Sequence, residues 1–333
     1  MKRFLTLLLM TGVGMLHAEQ DPPLTSAEQA AIAAALPKKA CAQPQKPRKI
    51  LIFSRTTTYR HKAGIPALKE AFSKMGEQTG AWEAVISDDL ANFESDKLVQ
   101  FDCVVMNNTT GAPFAEELST LPKMDPAKKA EIVARDKRLR ENLIQYVTNG
   151  GGLVAIHAGA DTYGPKLGEV ACPEYVKMVG AAFAAHPWGA SNEAVTVIVD
   201  DPKSPLTQGI WKNGEFKVQD EIYMFDESFD RTQLRVLMAL DLARSPITIE
   251  RHKNTKIRSD GDLALVWIKP YGKGRVFYGA FGHRRDIFAN PQIMELYLRG
   301  IQYACGDLPA DTAPLPFVSR PAKTADAPAP AKQ

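Results

Sequence analysis

A series of short apolar runs, separated by segments of helical period, limits what this chain can fold into. Lys49-Ile50-Leu51-Ile52-Phe53-Ser54 is the first, followed by runs at 82–87, 101–106 and 153–156. Runs of four to six residues are strand-length, and near-continuous apolar character marks a strand buried on both faces. Between them, residues 66–75 place Leu68, Ala71, Phe72 and Met75 on one helical face, with Pro66 suited to the first turn. Residues 125–149 repeat the pattern with Ile132, Leu139, Leu143 and Val147, and Gly150-Gly151-Gly152 stops it. Strand and helix in alternation predict right-handed βαβ units and a parallel sheet covered on both faces.

Past about residue 190 the strands crowd together. Residues 194–199, 221–225, 234–240, 263–268 and 275–281 read as strands, with Tyr271-Gly272-Lys273-Gly274 as a hairpin turn and 292–304 as a closing helix. The expected fold class is α/β: a flavodoxin-like, mostly parallel sheet with helices on both faces and an antiparallel extension in the second half.

The ends of the chain are expected to lie outside this unit. Lys2 and Arg3 precede an apolar run that weakens toward Leu16 and ends in Leu16-His17-Ala18. That order predicts a signal peptide over 1–18, cleaved near Ala18, and a periplasmic or secreted protein. Gly12 and Gly14 break the run, so no membrane span is expected once the signal is removed. Residues 19–47 form an Ala/Pro-rich leader in which 26–36 can be one helix, with Ser26 as its cap and Pro37 as its stop. The folded domain is expected at 48–306, and the Pro/Ala-rich residues 307–333 read as a disordered tail. In an oxidising compartment Cys41, Cys172 and Cys305 are disulfide candidates, and Cys103, inside a strand pattern, reads as a buried thiol. With 41 Lys+Arg against 38 Asp+Glu interspersed along the chain, no basic stripe for nucleic acid is present.

Of six histidines, four fall at strand ends or in Gly/Pro-rich turns: His61, His157, His186 and His283. Open α/β sheets bind ligands beyond the carboxyl ends of their strands, so these imidazoles are candidates for acid–base work or for metal. Asp161, four residues after His157, can orient its ring or ligate with it, and Glu221 supplies a second carboxylate. His157, Glu221 and Asp161 are the catalytic candidates. Arg55, Tyr59, His61, Asn108, Trp188 and Tyr223 are substrate-binding candidates: loop donors, plus aromatic faces able to stack on a sugar. Asp220 is balanced between a site carboxylate and a solvated strand end. Strand 153–156 leads into a small-residue turn of the kind that holds a Ser or Cys nucleophile, but His157 occupies that position. Neither GxGxxG nor GxxxxGK[ST] is present, so no nucleotide cofactor is expected.

Several pieces together resemble the ThuA-like (trehalose utilisation) family. They are Ile50-Leu51-Ile52-Phe53-Ser54 with Tyr59-Arg60-His61; Asn108-Thr109-Thr110-Gly111; Gly150 to Ala158 with Asp161-Thr162; and Val179-Gly180-Ala181-Ala182-Phe183 with His186-Pro187. Asp220-Glu221-Ile222-Tyr223, Trp267 with Tyr271 to Tyr278, and Gly282-His283 complete the set. The resemblance covers about 48–306. It implies a class I glutamine amidotransferase-like fold lacking that fold's cysteine, and a role on disaccharides or their keto derivatives. The departures are the long charged helix near 126–149 and the extra loop 244–260, which can reshape the pocket rim. On this reading the protein is a sugar-processing enzyme using His/carboxylate chemistry. A divalent metal of the zinc or manganese type is to be held among His61, His157, His186 and His283. The alternative is a carbohydrate- or partner-binding module without turnover. A glutamine amidotransferase is not expected.

Overall fold

A computed structural model describes residues 21–116, 119–191 and 194–317. The expected signal peptide at 1–18 lies outside the described residues, as does the tail from 318. The chain runs α1 (Ser26–Ala35), β1 (Lys49–Phe53), α2 (Gly64–Thr79), β2 (Glu83–Ile86), a single turn α3 (Ser95–Leu98), β3 (Cys103–Asn107), α4 (Pro126–Thr148) and β4 (Gly152–Ile156). It continues through α5 (Pro173–Val179), β5 (Phe183–Trp188), β6 (Val195–Val199), β7 (Glu215–Val218), β8 (Ile222–Phe225), β9 (Arg235–Leu240), β10 (Ala264–Tyr271), β11 (Gly274–Gly279) and α6 (Pro291–Cys305).

One nine-stranded sheet organises the molecule in the order β2-β1-β3-β4-β11-β10-β9-β6-β7. The first five of these strands are parallel, as a flavodoxin-like sheet requires. From β11 onward every pairing is antiparallel. The change of direction follows from a two-residue hairpin between β10 and β11, which leaves no room for a crossover helix. Gly272 takes a left-handed φ of 58° in that hairpin, and a side chain there would run into the backbone of Thr148. β1, β3 and β4 are buried along nearly their whole length, which is why they read as unbroken apolar runs.

Helix ends follow their local chemistry. Asp125 caps α4 by accepting from the N–H groups of Ala127 and Lys128, with Pro126 in the first turn. Asn290 and Pro291 do the same for α6, and Gly306 closes it in the left-handed conformation. Leu68, Ala71, Phe72 and Met75 of α2 are fully buried; each large side chain among them contributes roughly 1.5–3 kcal/mol.

β5, β7 and α5 are absent from the expected elements. β7 is four residues long at the sheet edge, and β5 contains Pro187, which suppresses a ladder signal. β8 leaves the main sheet and pairs with β5 as a separate two-stranded ribbon.

The segment before β1 is docked on the fold. Ile32, Ala35 and Leu36 are buried in the core. Glu28 pairs with Arg285, and Asp21 with Arg60. The cap of α1 is Thr25 rather than Ser26, in a reciprocal capping box with Glu28. Thr25→Ala is expected to cost about 1 kcal/mol, read as a small fall in thermal midpoint. Residues 307–317, grouped by composition with the tail, make specific contacts. Asp307 is buried against Arg48, and Asp311 pairs with Arg235. All four cysteines are free, so no disulfide links Cys41, Cys172 and Cys305. Cys41 instead donates its thiol to Gln302 Oε1 at 2.8 Å.

Candidate functional site

In the sheet order, β2 and β3 lie on opposite sides of β1, and at such a reversal the segments leaving neighbouring strand ends diverge and open a crevice. The segments beyond the carboxyl ends of β1, β3, β4 and β11 meet there. The loop after β1 is zipped to the one after β3: Thr57 N–H donates to the Thr110 carbonyl, and the Thr110 hydroxyl donates to the Tyr59 carbonyl. His61 ends that loop, and its own carbonyl accepts from Ile65 N–H in the first turn of α2. His157 follows β4 with a left-handed φ of 48°, beside Asn108 after β3 at 52°. Such backbone is uncommon for residues other than glycine and persists only where the surroundings hold it. His186 lies on β5, and Glu221 immediately precedes β8, so the two-stranded ribbon carries both groups to the sheet edge.

Glu221 stands at the centre of four imidazoles. Its Oε2 is 3.4 Å from His157 Nε2 and 3.9 Å from His61 Nε2; its Oε1 is 3.4 Å from His186 Nδ1 and 3.9 Å from His283 Nε2. All four separations exceed the roughly 2.7–3.2 Å of a good N–H···O bond. The rings of His61, His157 and His283 stand nearly perpendicular to one another, with centroids 4.9–5.7 Å apart. Tyr223 packs its ring 4.2 Å from His157 and sets its hydroxyl 3.5 Å from His61 Nε2. Phe183 stacks on His186 and packs against Tyr223. His157 Nδ1 lies 2.8 Å from the Ala280 carbonyl, an acceptor only, so Nδ1 carries a proton and, in the neutral ring, Nε2 is left with the lone pair. That Nε2, His61 Nδ1 and His186 Nδ1 are buried without hydrogen-bond partners.

Burial dominates the electrostatics. It drives His61 down to about 4, the charges of His157 and His283 adding to the effect and Glu221 opposing it. His283 is lowered for the same first reason. Burial also works against ionised Glu221, but the adjoining imidazoles of His157 and His61, where they turn a proton toward it, outweigh that and hold the carboxyl well below its usual range. Asp161 is pushed up to about 6 by burial, with the charge of His157 pulling the other way.

The site therefore unites His61, His157, His186, His283, Glu221 and Tyr223. Asp161 is half-buried and coupled to His157 and Glu221 through charge, but the ring of His157 is oriented by the Ala280 carbonyl, not by Asp161. Asn108 is buried nearby, donating to Asn107 and Gly282 and leaving its Oδ1 unpartnered. Tyr59 is exposed at the rim, its ring 4.8 Å from His61. Arg55 is engaged elsewhere, with the Ala115 carbonyl and Glu116. Trp188 is buried with its N–H on the Ser245 carbonyl, so it offers no open face for a sugar. Of the four histidines considered for metal, His61 and His283 join Glu221 in a set whose ligand atoms all lie within 4.8 Å of one another; His157 and His186 are not part of that set.

Asp220, balanced between two readings in the sequence, is fully enclosed. Its carboxylate accepts from the backbone N–H groups of Gly282 and Arg284 at 2.7 and 3.0 Å, which fixes the loop carrying His283. Burial pushes its carboxyl up to about 6, against the pull of His157 and of those N–H groups. His252, in the extra loop, brings its ring 5.6 Å from His186. A cleft of about 460 Å³, lined by Glu28, Ala63, Ser191, His283, Arg284 and Asp286 among others, opens beside His283.

The model of the ThuA family, described as trehalose utilisation, matches residues 49–304. Among solved structures, a putative ThuA-like protein from Bacteroides uniformis superposes with a TM-score of 0.58 at 22% identity, covering 79% of this chain and 93% of that one. A second, from Parabacteroides merdae, gives 0.50 at 17% identity, covering 79% and 92%. No curated protein matches the chain. At these identities the structural likeness establishes the fold.

Proposed function

The chain belongs to the ThuA (trehalose utilisation) family, and from that premise we propose that it is an enzyme of carbohydrate metabolism that cleaves the glycosidic bond of an oxidised, ketone-bearing disaccharide or glycoside by proton transfer. The family points to carbohydrate; the substrate and reaction are argued from the site. The observation that carries the reading is the orientation of His157. Its Nδ1–H is committed to Ala280, and its Nε2 lone pair is buried, unpartnered and aimed into the cluster. A buried imidazole held in one tautomer is a general base ready to accept a proton.

An imidazole cannot deprotonate an ordinary sugar carbon. A neighbouring ketone acidifies the C–H enough for it to do so. The base takes that proton, the C–H electron pair becomes a C=C bond, and the glycosidic C–O bond breaks. The departing oxygen takes a proton from an acid. Asp161, whose carboxyl burial pushes up to about 6, is the donor assigned to this step. Adding water to the unsaturated product completes a net hydrolysis. No covalent intermediate is required, in keeping with a histidine at the turn where a Ser or Cys nucleophile would stand. Tyr223, His61 and Asn108, buried in the cluster, are assigned to its polar lining, and Tyr59, exposed beside His61, to the rim that meets the sugar. The N-terminal segment fits export, so the reaction is assigned to the periplasm or the exterior.

The test compares a disaccharide with its keto derivative, following release of the leaving sugar. Cleavage of the keto form at least about a hundredfold faster than the parent is expected, the scale of a general-base contribution. Equal rates, or binding of both without turnover, would refute the reading, and the second outcome would make the protein a binding module.

A further inference from the structure

Three groups from distant parts of the chain converge on one point. His61 comes from the loop after β1, Glu221 from the start of β8 and His283 from the loop after β11. One ligand atom from each lies within 4.8 Å of the other two. Their backbones are held independently of any ligand. His61 is fixed by the first turn of α2, and His283 by the Asp220 carboxylate beside Glu221.

The second observation is a group of buried ring nitrogens without partners. His157 Nε2 is buried without a hydrogen-bond partner, 3.4 Å from the Glu221 carboxylate oxygen. His61 Nδ1 and His186 Nδ1 are also buried without partners. Leaving polar atoms buried and unpaired beside a carboxylate is costly. A cation bound among them would give ring nitrogens and carboxylate a common partner. Ligands of an ion held at about 2.0–2.2 Å stand roughly 3–3.5 Å apart, so the widest separation has to close by at most roughly 1.3–1.8 Å.

We propose that His61, His283 and Glu221 bind one divalent transition-metal ion of the zinc or manganese type. Imidazole with carboxylate suits these ions, and three protein ligands leave positions open, as in catalytic rather than structural sites. His157 and His186 flank the ion without being its primary ligands. The open positions take the ketone and a neighbouring hydroxyl oxygen of the substrate; this assignment alone rests on the function proposed above. An ion there withdraws electrons from the ketone and so further acidifies the C–H that His157 deprotonates.

The experiment uses the tag-free chain, stripped with chelator and dialysed, then titrated calorimetrically with Zn²⁺ and separately with Mn²⁺. One site per chain is expected for at least one ion, together with a rise in thermal midpoint on loading. Altering groups beside metal ligands costs about 10–100-fold in affinity, so removing a ligand in His283→Ala should cost at least about 100-fold. His252→Ala, outside the ligand set, should bind like wild type. Glu221→Gln, close in shape to the native side chain, replaces His283→Ala if the latter does not fold. No stoichiometric binding of either ion, or equal binding by wild type and both ligand variants, overturns the site. Metal binding without keto-sugar cleavage upholds the site and refutes the function. Cleavage undiminished by chelation, with no binding, does the reverse.

Discussion

His157→Asn is expected to lower the turnover of a keto-glycoside by about 10²–10⁴-fold, the range for losing a positioned general base, with the fold intact and sugar affinity changed only a few-fold. Asparagine is the informative replacement for two reasons. Its amide nitrogen sits where Nδ1 sits in histidine, so it can keep the hydrogen bond to the Ala280 carbonyl. It also tolerates the left-handed backbone at this position, where φ is 48°. What it removes is Nε2, the atom that faces Glu221. Alanine would remove the Ala280 bond as well and mix a stability effect with the catalytic one. The measurement is kcat and KM for the keto substrate beside thermal unfolding of each protein. A fall confined to kcat supports His157 as the base. A kcat within a few-fold of wild type would mean that another group takes the proton.

His157 could be found in the sequence because its neighbours announce it: a run of apolar strand residues ending in a histidine and then in small residues. His61 and His283 carried the same signal of a strand followed by a polar or glycine-bearing loop. The parallel half of the sheet was legible for the related reason that doubly buried strands leave no polar alternation. Other features depend on long-range contacts and leave no local trace. Asp220 looks like a solvated strand end until the loop at 282–284, some sixty residues later, lays its N–H groups on the carboxylate. Trp188 and Arg55 carry chemistry suited to a sugar, yet Ser245 and Ala115, both distant in sequence, occupy their polar groups. His186 looked like a turn residue because Pro187 hid β5. The docking of the Ala/Pro-rich leader was equally hidden. Its composition is that of a spacer, but Ile32 and Ala35 of α1, Leu36 after it, and ion pairs from Asp21, Glu28 and Lys46 join it to the domain.

Gly64→Ala is expected to destabilise the protein by about 2 kcal/mol and to displace His283, although helix propensity alone predicts the opposite sign. Gly64 is the first residue of α2, where alanine would ordinarily gain up to about 1 kcal/mol. A Cβ there would lie only 1.8 Å from the Gly282 carbonyl oxygen and 3.2 Å from that of His283. These are backbone atoms, so no side chain can swing aside. The Gly282 carbonyl also accepts from Asn108 Nδ2, and its N–H is held by Asp220, which leaves the loop little room to retreat. Overpacking of this kind costs roughly 1–3 kcal/mol or more, which exceeds the propensity gain. If the loop yields instead, His283 moves with it, and its alignment with Glu221 is lost even though no site residue has been changed. Thermal unfolding should therefore shift down by several degrees, with a fall in turnover of at least about tenfold. Gly164→Ala is the control, because no atom lies within 4 Å of where its Cβ would stand and its φ of −62° suits any residue. A Gly64→Ala protein as stable and as active as the Gly164→Ala control would show that the loop bearing His283 has slack, and that the close packing of Gly64 on Gly282 does not position it.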